Sequence, residues 1–347
     1  MDAAALDYEL PPDRIAQRPA EPRDAARLLV DRGDGVPPDH RTVADLPALV
    51  GPGDVIVVND TRVLPARLRL RKPTGGAVEV LLLEPTTQGW EALVRPSRKV
   101  PSGTVLVPAE ADAELRVEVG ADLGEGRRRV RLLTEHEEIA VLGRYGEVPL
   151  PPYITEPLAD PERYQTVYAH RPASVAAPTA GLHLTPAVLD ACAARGAEIR
   201  RVELVVGLGT FRPITASRVE DHVMHAERYD VPEATLAACA AAHRVIAVGT
   251  TTVRALESAA GTGITSGRTS LFIHADHPWR VVDVMLTNFH VPRSSLLVMV
   301  DAFVGPRWRS LYETALAEGY RFLSFGDAML LRRTRPGVRP LPVGSPT

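Results

Sequence analysis

The sequence predicts an α/β protein in which a mostly parallel sheet is interrupted by a small inserted β-barrel. Strand-like and helix-like segments alternate over residues 152–347, which is typical of a doubly wound sheet with helices on both faces. Residues 62–151 instead carry short strands of alternating hydrophobicity separated by Gly and Pro, which is typical of a barrel. We therefore predict a Rossmann-like three-layer α/β domain formed by 1–61 and 152–347, with 62–151 as the inserted β-barrel domain.

The predicted elements follow the chain in order. Strands are expected over 27–30 and 55–58, and in the insert over 66–70, 77–83, 90–94, 104–107, 115–119 and 127–133. The stretch 148–152 predicts a stiff proline-rich connector. Beyond it, Thr185 as N-cap, Pro186 at the first helical position and Gly196 after the last mark a helix. Further helices are expected over 233–243, 252–260 and 308–318, and further strands over 199–206, 245–248, 271–273, 280–286 and 297–300.

Composition indicates an ordinary globular protein. Apolar residues make up 45% of the chain and the formal net charge is −3, so the whole chain gives no electrostatic signal for nucleic acid. Cys192 and Cys239 lie in alanine-rich segments without metal-ligand spacing, which predicts small core residues and no metal. The N-terminal segment does not resemble a secretion signal, and no apolar run approaches the length of a membrane span, so a cytoplasmic protein is expected.

Five strand-like runs end abruptly in clusters of small and polar residues. Because an open α/β sheet binds ligands beyond the carboxyl ends of its strands, these ends predict one shared site and therefore an enzyme. The glycine turn among them lacks the third glycine of a dinucleotide fingerprint, which favours a close approach to a ligand or a tight turn. The clusters are NDTR from Asn59, PTAGLH from Pro178, GLGTF from Gly207, GTTTVR from Gly249 and TNFH from Thr287.

The cluster from Thr250 to Arg254 follows a buried strand and begins a helix. Free N–H groups and the positive end of the helix dipole favour an anion there, and Arg254 adds a bidentate donor. The alternative is an ordinary Thr N-cap with a surface pair between Arg254 and Glu257. Both interpretations stay open at this point.

Histidines are the other candidate groups. His222, His225 and Glu227 have part of the spacing of a metal site, but no matching ligand set accompanies them, which favours a hydrogen-bonding or acid–base role. His183 and His290 occupy equivalent positions after two strand-like runs. Their equivalence favours at least one titrating group in a cleft.

Several stretches, in this order, resemble one family over nearly the whole chain. They include GDVIVVNDTRVLPARL, SVAAPTAGLHLT, GTFRPI, VIAVGTTTVRALES, LTNFHVPRSSLL and YRFLSFGDAML. Together they resemble the S-adenosylmethionine:tRNA ribosyltransferase-isomerases of queuosine biosynthesis. The resemblance implies an α/β domain with an inserted β-barrel. It also implies transfer and isomerisation of the ribosyl part of S-adenosylmethionine onto 7-aminomethyl-7-deazaguanine at the tRNA wobble position. The implied products are epoxyqueuosine-tRNA, adenine and methionine, with S-adenosylmethionine consumed as a substrate and no other cofactor.

The implied chemistry assigns roles to the candidate residues. The sulfonium acidifies the ribose 5′ carbon, so a positioned base must remove a proton. The candidates for this base are His183, His225, Glu227 and His290. Thr250, Thr251 and Arg254 suit the methionyl carboxylate. A carboxylate such as Asp60 or Asp327 suits a guanine-like edge, whose N–H groups it can accept. The other substrate-binding candidates are Asn59, Arg62, Thr179, Gly207, Gly209, Thr210 and Asn288.

Clustered basic residues of the insert are expected to bind phosphates of the tRNA anticodon arm. The alternative is a solvated basic face. The expected partners are therefore tRNA and S-adenosylmethionine, with no membrane, and the expected state is a monomer. The candidate phosphate-binding residues are Arg67, Arg69, Arg71, Lys72, Arg95, Arg98 and Lys99, with the basic C-terminal segment from Arg332 as a second group.

Three positions depart from the family pattern. Val206 stands where His is usual, Leu184 where Phe is usual, and Asp301 falls in a stretch that is usually Ser-Ala-Phe. These departures leave open a paralogue that uses S-adenosylmethionine on a free deazapurine nucleoside or another small amine. A non-catalytic RNA-binding protein is a further alternative, which the polar strand ends disfavour.

Overall fold

The computed structural model describes residues 1–110, 113–207 and 214–333, and the chain divides into two compact units. The first unit comprises Met1–Thr61, Pro152–His170 and Ala177–Thr347, and the second comprises Arg62–Pro151 and Arg171–Ala176. The prediction that 171–176 belong to the α/β domain is wrong. The strand at Arg171–Ser174 pairs with the one at Thr61–Val63, and Leu64 N donates to Ser174 O at 2.8 Å.

The strands and helices alternate along the first unit and cluster as strands in the second. The strands are β1 (Arg27–Val30), β2 (Asp39–Thr42), β3 (Asp54–Asn59), β4 (Thr61–Val63), β5 (Arg67–Arg71), β6 (Ala77–Thr86), β7 (Gly89–Arg95), β8 (Thr104–Leu106), β9 (Arg116–Gly124), β10 (Arg127–Leu133), β11 (Gly146–Glu147), β12 (Arg171–Ser174), β13 (Glu198–Leu204), β14 (Glu227–Asp230), β15 (Arg244–Val248), β16 (Ser266–Thr269), β17 (Val284–Asn288) and β18 (Ala328–Arg332). The α-helices are α1 (Glu138–Tyr145), α2 (Pro186–Ala194), α3 (Glu233–Ala241), α4 (Thr250–Thr262), α5 (Ser295–Val304) and α6 (Trp308–Ala317).

The first unit is built on a nine-stranded sheet with the order β16-β14-β13-β3-β15-β17-β18-β1-β2. Four adjacent strands at its centre, β13, β3, β15 and β17, run parallel, and β18 pairs parallel with β1. The remaining neighbours are antiparallel. The prediction of a mostly parallel sheet is therefore wrong in extent, since only half of the neighbouring pairs are parallel. The sheet is mixed because strands added on both sides of the parallel centre reverse direction.

The parallel centre explains why this unit has a core. All residues of β3, β15 and β17 are buried, and aliphatic side chains dominate these three strands, as expected for strands covered on both faces. Their side chains pack against helix α2, whose Val188 and Cys192 belong to the same buried cluster. Since the four central strands are parallel, their carboxyl ends lie along one edge of the sheet.

The second unit is a curled antiparallel sheet with the order β11-β5-β6-β7-β10-β9-β8. One isolated bridge joins Arg71 of β5 to Val107, just beyond β8. This bridge links strands from opposite parts of the sheet order, which bends the sheet toward a half-barrel. Full closure into a barrel stays a prediction. The helix α1 of this unit, at Glu138–Tyr145, is absent from the sequence prediction.

Several element predictions need correction. Residues 297–300, expected as a strand, lie inside helix α5. Residues 271–273 form no strand, and the strand in that region is β16, which is mostly exposed and has Ser266 and Gly267 at its start. The strand expected over 280–286 begins later, as β17 at Val284–Asn288. Within the described part of the chain, no helix is long and apolar enough to cross a membrane.

Candidate active site

A cleft that is open to solvent lies at the carboxyl edge of the parallel strands in the first unit. Three of the five predicted polar clusters contribute to it, those from Pro178, Gly249 and Thr287, and Val206 lines it just before the cluster from Gly207. The cluster that begins at Asn59, the last residue of β3, contacts a lining residue without lining the cleft itself. Asn59 Nδ2 donates to Thr251 Oγ1 at 3.1 Å and to Leu204 O at 3.0 Å. The lining residues are Ala177, Pro178, Thr179, Ala180, Val206, Gly249, Thr250, Thr251, Thr287, Asn288, His290 and Leu296.

Helix α4 begins at this cleft without a side-chain cap. Its N-cap is Gly249, at φ 90° and ψ 150°, and none of the described side chains caps the first turn. Thr252 Oγ1 is occupied, because it donates to Val248 O at 2.6 Å. The Thr N-cap interpretation is therefore wrong. The first N–H groups of a helix have no intrahelical partners, so Thr250 and Thr251 present donors and the positive dipole end toward the cleft.

His290 is the histidine that lines the cleft. Its side chain is 7% exposed, and its Nε2 forms a hydrogen bond of 2.9 Å with Thr287 Oγ1. Burial lowers the pKa of His290 to about 3. The imidazole is therefore neutral at physiological pH.

His183 lies behind the cleft. Its Nε2 accepts a hydrogen bond of 2.9 Å from Asn288 Nδ2, and Asn288 Oδ1 accepts one of 3.0 Å from Thr179 Oγ1. Burial lowers the pKa of His183 to about 4, assisted by the positive charges of Arg321 and Arg23. A neutral His183 thus acts as an acceptor that fixes the Asn288 amide, and Asn288 fixes Thr179 at the cleft wall.

Arg254 and Glu227 form a buried ion pair. Glu227 Oε1 also accepts Gly207 N at 2.8 Å, and Arg254 Nε donates to Leu271 O at 3.2 Å. Neither side chain lines the cleft, so a direct contact of Arg254 with a substrate carboxylate is not supported. The alternative pair between Arg254 and Glu257 is also wrong, because the buried Glu257 accepts main-chain N–H groups of residues 280–282.

Three other predicted residues lie away from the cleft lining. Asp327 is 2% exposed, and its two oxygens accept Arg27 N at 2.9 Å and Arg321 N at 2.7 Å, so it is not placed to recognise a guanine-like edge. Asp60 is half-buried beside Arg201, with 3.9 Å between Oδ2 and Nη1. Arg62 belongs to the second unit.

The predicted metal-like group does not form a cluster. His225 is exposed, whereas Glu227 is buried in its ion pair with Arg254. His222 stacks edge-on against Phe272 at 5.3 Å, and burial followed by the charge of His225 lowers its pKa. Among the described residues, no group of His, Cys, Asp and Glu has the geometry to hold a metal ion. Both cysteines are buried and unpaired, as predicted.

The basic candidates of the second unit differ in how far their charges are neutralised. Arg71, Arg95, Arg98 and Lys99 are exposed. Arg69 is exposed but bonds Glu147 at 2.8 Å, and Arg67 lies 3.8 Å from Glu79. Lys72 is half-buried, and its Nζ donates to Lys99 O at 3.4 Å. In the C-terminal segment, Arg333 is 6% exposed and paired with Asp283, so it is not a surface cation.

Two predicted residues, Gly209 and Thr210, lie outside the described residues. Two residues that line the cleft, Thr287 and Leu296, were not among the candidate site residues predicted from the sequence. Thr287 begins a predicted cluster but carries no signal that separates it from its neighbours, and Leu296 follows the last cluster without any polar signal. Of the three departures, only Val206 lines the cleft. Leu184 is a core residue, and Asp301 accepts Trp308 Nε1 at 2.9 Å.

A mixed α/β sheet with a cleft at the carboxyl edge of its parallel strands is the arrangement of an α/β enzyme. A family model described as "Queuosine biosynthesis protein" matches residues 3–331. A relative from Rubrobacter xylanophilus, named S-adenosylmethionine:tRNA ribosyltransferase-isomerase, is 52% identical over 94% of this chain and 96% of its own. One of the same name from Thermus thermophilus is 51% identical over 94% and 98%. The crystal structure of S-adenosylmethionine tRNA ribosyltransferase from Thermotoga maritima is similar, with a TM-score of 0.53 and 34% identity over 94% of this chain and 99% of that one. The chain therefore belongs to the S-adenosylmethionine:tRNA ribosyltransferase-isomerase family of queuosine biosynthesis.

Proposed function

We propose that this chain transfers and isomerises the ribosyl part of S-adenosylmethionine onto 7-aminomethyl-7-deazaguanine at the wobble position of tRNA. The products are epoxyqueuosine-tRNA, adenine and methionine. One observation carries the assignment of the site: the uncapped start of α4 and the neutral side chain of His290 line the same cleft. S-adenosylmethionine offers both groups a matching partner, since it has a carboxylate at one end and acidic C–H bonds beside its sulfonium.

The carboxylate of the methionyl part binds at the start of α4. The N–H groups of Thr250 and Thr251 are donors without helical partners, and the helix dipole favours negative charge at this end. Arg254 supports this arrangement indirectly. Its ion pair with Glu227 holds the main chain of Gly207, which directly follows the cleft residue Val206.

His290 is the base in this proposal. The reaction begins with loss of a proton from the ribose 5′ carbon, and His290 presents an unprotonated imidazole in the cleft as its acceptor. Thr287 Oγ1 holds the ring through Nε2. Of the four candidate bases, only His290 lines the cleft, whereas the buried His183 and Glu227 lie away from its lining and His225 is exposed.

The tRNA partner and the state of the protein complete the proposal. The exposed basic residues of the second unit bind phosphates of the anticodon arm, and the wobble base leaves its stack to react. S-adenosylmethionine is consumed as a substrate, and no other cofactor takes part. We propose a monomer that acts in the cytoplasm, where tRNA is modified.

The test is incubation with S-adenosylmethionine and tRNA that carries 7-aminomethyl-7-deazaguanine. Adenine and methionine are expected in amounts equal to the modified tRNA, and tRNA with guanine at the wobble position is the control. Absence of both products with RNA binding intact would leave the RNA-binding alternative. Equal turnover of the free nucleoside would favour the paralogue.

A matched pair of variants tests the base. His290→Gln is expected to lower kcat by about 100-fold or more, because general bases contribute about that much. His225→Gln, which changes an exposed histidine, is expected to leave kcat within about twofold of the wild-type value, because it has no place in the cleft. If the two variants behaved in the opposite way, the assignment of the base would have to move to His225.

A further inference from the structure

The main chain that carries His290 continues past the end of a strand without a neighbouring strand to hold it. At Asn288 the chain is still paired with Ala328 of β18, and Phe289 O accepts Leu323 N at 3.2 Å. At His290, two tyrosine hydroxyls replace the neighbouring strand as hydrogen-bond partners of the main chain. His290 N donates to Tyr312 Oη at 3.0 Å, and Tyr8 Oη donates to His290 O at 2.5 Å.

We propose that Tyr8 and Tyr312 are positioning residues that clamp the main chain of His290 and thereby aim its imidazole into the cleft. This inference rests on the proposed function, in which His290 accepts the proton. Buried peptide groups need partners, and here the N–H and the C=O of one residue both find them in side chains rather than in a sheet. The clamp fixes both hydrogen-bonding directions of the His290 main chain.

The two tyrosines are rigidly held. Their rings meet edge to face at 5.1 Å, and Tyr312 packs in the same manner against Phe289 at 5.3 Å and Trp308 at 5.4 Å. Tyr312 is 1% exposed. Burial raises the pKa of Tyr8, with the neighbouring Tyr312 adding to it, so the Tyr8 hydroxyl keeps its proton and can donate throughout an enzyme's working pH range.

The rate of proton transfer depends strongly on the position of the base relative to the proton that it removes. A displacement of about 1 Å can reduce a rate by about 100-fold, even when the change is made away from the reacting atoms. The ring of His290 is attached through its side-chain bonds to the clamped main chain, and its Nε2 is held at the far end by the hydrogen bond with Thr287. Removal of either tyrosine hydroxyl therefore loosens the attachment point while the base itself remains present.

The test uses Tyr312→Phe and Tyr8→Phe in the full chain, since each removes one oxygen and keeps the aromatic packing. Each variant is expected to lower kcat by about 10- to 100-fold with the KM for S-adenosylmethionine within about twofold. Tyr8 is only half-buried, so its variant provides a folded protein even if Tyr312→Phe is unstable. Tyr320→Phe is the matched control, because its hydroxyl bonds His40 in the same aromatic cluster and does not contact His290.

Combination with His290→Gln separates positioning from a general structural effect. If the clamp acts through His290, the double variant Tyr312→Phe/His290→Gln is expected to have the kcat of His290→Gln alone within about twofold. Multiplied reductions in kcat, or a kcat for both tyrosine variants equal to that of wild type, would overturn the clamp. Full activity of His290→Gln itself would overturn the choice of base and the clamp together, and product release by the wild type would still report on the proposed reaction.

Discussion

At the scale of single residues, the hydrogen-bonding capacity of Asn288 is almost fully used. Its Nδ2 donates to His183 at 2.9 Å and to Asp327 O at 3.3 Å, and its Oδ1 accepts from Thr179. A fixed amide leaves Thr179 with its proton committed, so the hydroxyl offers the cleft only lone pairs. The cleft wall at Thr179 is therefore an acceptor, which suits a substrate bearing hydroxyl or N–H groups.

The buried pair of Arg254 and Glu227 is expected to matter for stability. Arg254→Ala is expected to lower the free energy of unfolding by about 3–5 kcal/mol, because it leaves the carboxylate of Glu227 buried without its partner. Denaturation by urea measures this change. Arg69→Ala is the control, since its pair with Glu147 is exposed and is worth about 1 kcal/mol or less.

A small loss of stability in Arg254→Ala would indicate a role for Arg254 in substrate binding rather than in stability. If Arg254→Ala cost less than about 1 kcal/mol and raised only the KM for S-adenosylmethionine, the guanidinium would have to reach the methionyl carboxylate directly. Glu227→Gln helps to distinguish the two cases. It keeps an oxygen for Gly207 N but leaves the guanidinium of Arg254 buried without its counter-charge, so a purely structural pair predicts a decrease in stability of the same order as for Arg254→Ala.

At the scale of elements, the start of α4 depends on one glycine. Gly249 has φ +90°, a conformation that residues with a Cβ rarely adopt, although the nearest atoms to such a Cβ lie 3.7 and 3.8 Å away. Gly249→Ala is therefore expected to cost about 1–3 kcal/mol through backbone strain rather than through a clash. Because the turn lines the cleft, the KM for S-adenosylmethionine should rise as well.

Gly261→Ala in the same helix is the matched control. Gly261 is exposed near the end of α4, and a Cβ there meets nothing closer than Arg280 Nε at 4.0 Å. This change is expected to be neutral or to stabilise by up to about 1 kcal/mol. Thermal unfolding together with substrate titration compares the two variants, and equal behaviour would show that the conformation of Gly249 is not required.

Helices with capping residues at their ends were predictable from the sequence, whereas the secondary structure of short apolar runs was not. Helix α2 begins at Pro186, as Thr185 and Pro186 indicate, because capping is a local property. Residues 297–300 form four apolar positions in a row, a pattern that cannot distinguish a buried strand from a buried helix. The helical outcome follows from the Ser294 cap of α5, whose side chain accepts Leu297 N. Strand β16 was missed because its exposed, polar sequence has no apolar alternation.

The candidate site was predictable to the extent that it follows from strand direction. Thr179, Thr250, Thr251, Asn288 and His290 all line the cleft, because each follows or ends a strand-like run. Sequence spacing could not rank His183 against His290, since the direction of each ring depends on the turn that follows. It also could not find the clamp of Tyr8, which reaches His290 from 282 residues away.

At the scale of the whole molecule, two neutral histidines make stability depend on pH. The folded-state pKa values of His183 and His290 are lowered to about 4 and about 3, against 6.5 in the unfolded chain. At a pH between the folded and the unfolded pKa of a histidine, the unfolded chain binds a proton at that side chain and the folded chain does not. The stabilising contribution is therefore complete above pH 6.5 and decreases as pH falls toward the folded values.

The expected decrease is about 1.4 kcal/mol per pH unit for each histidine. Urea denaturation at about pH 7, 6 and 5 measures it. His290→Gln should be less stable than wild type near neutral pH, but its stability should fall less steeply with acidification. Parallel pH dependences for the two proteins would contradict burial of a neutral His290.

The second unit carries a prediction about tRNA that depends on which charges are already neutralised. Arg98 and Lys99 are exposed next to each other, whereas Arg69 is bonded to Glu147. Arg98→Gln/Lys99→Gln is expected to weaken tRNA binding and to reduce the slope of log Kd against log salt concentration by about 1 for each phosphate that is no longer bound. Arg69→Gln should change the slope less, because releasing Glu147 offsets part of the effect of removing the positive charge.

Binding is measured by titrating tRNA at several salt concentrations with catalysis prevented by omitting S-adenosylmethionine. A Kd that does not change with salt would show that phosphate binding contributes little and would remove the basic residues from the binding surface. If Arg69→Gln had as large an effect as the double variant, ion pairing within the unit would not decide which cations bind tRNA. The expected result is that ion pairs between the unit's own side chains, more than its number of basic residues, determine where the anticodon arm is held.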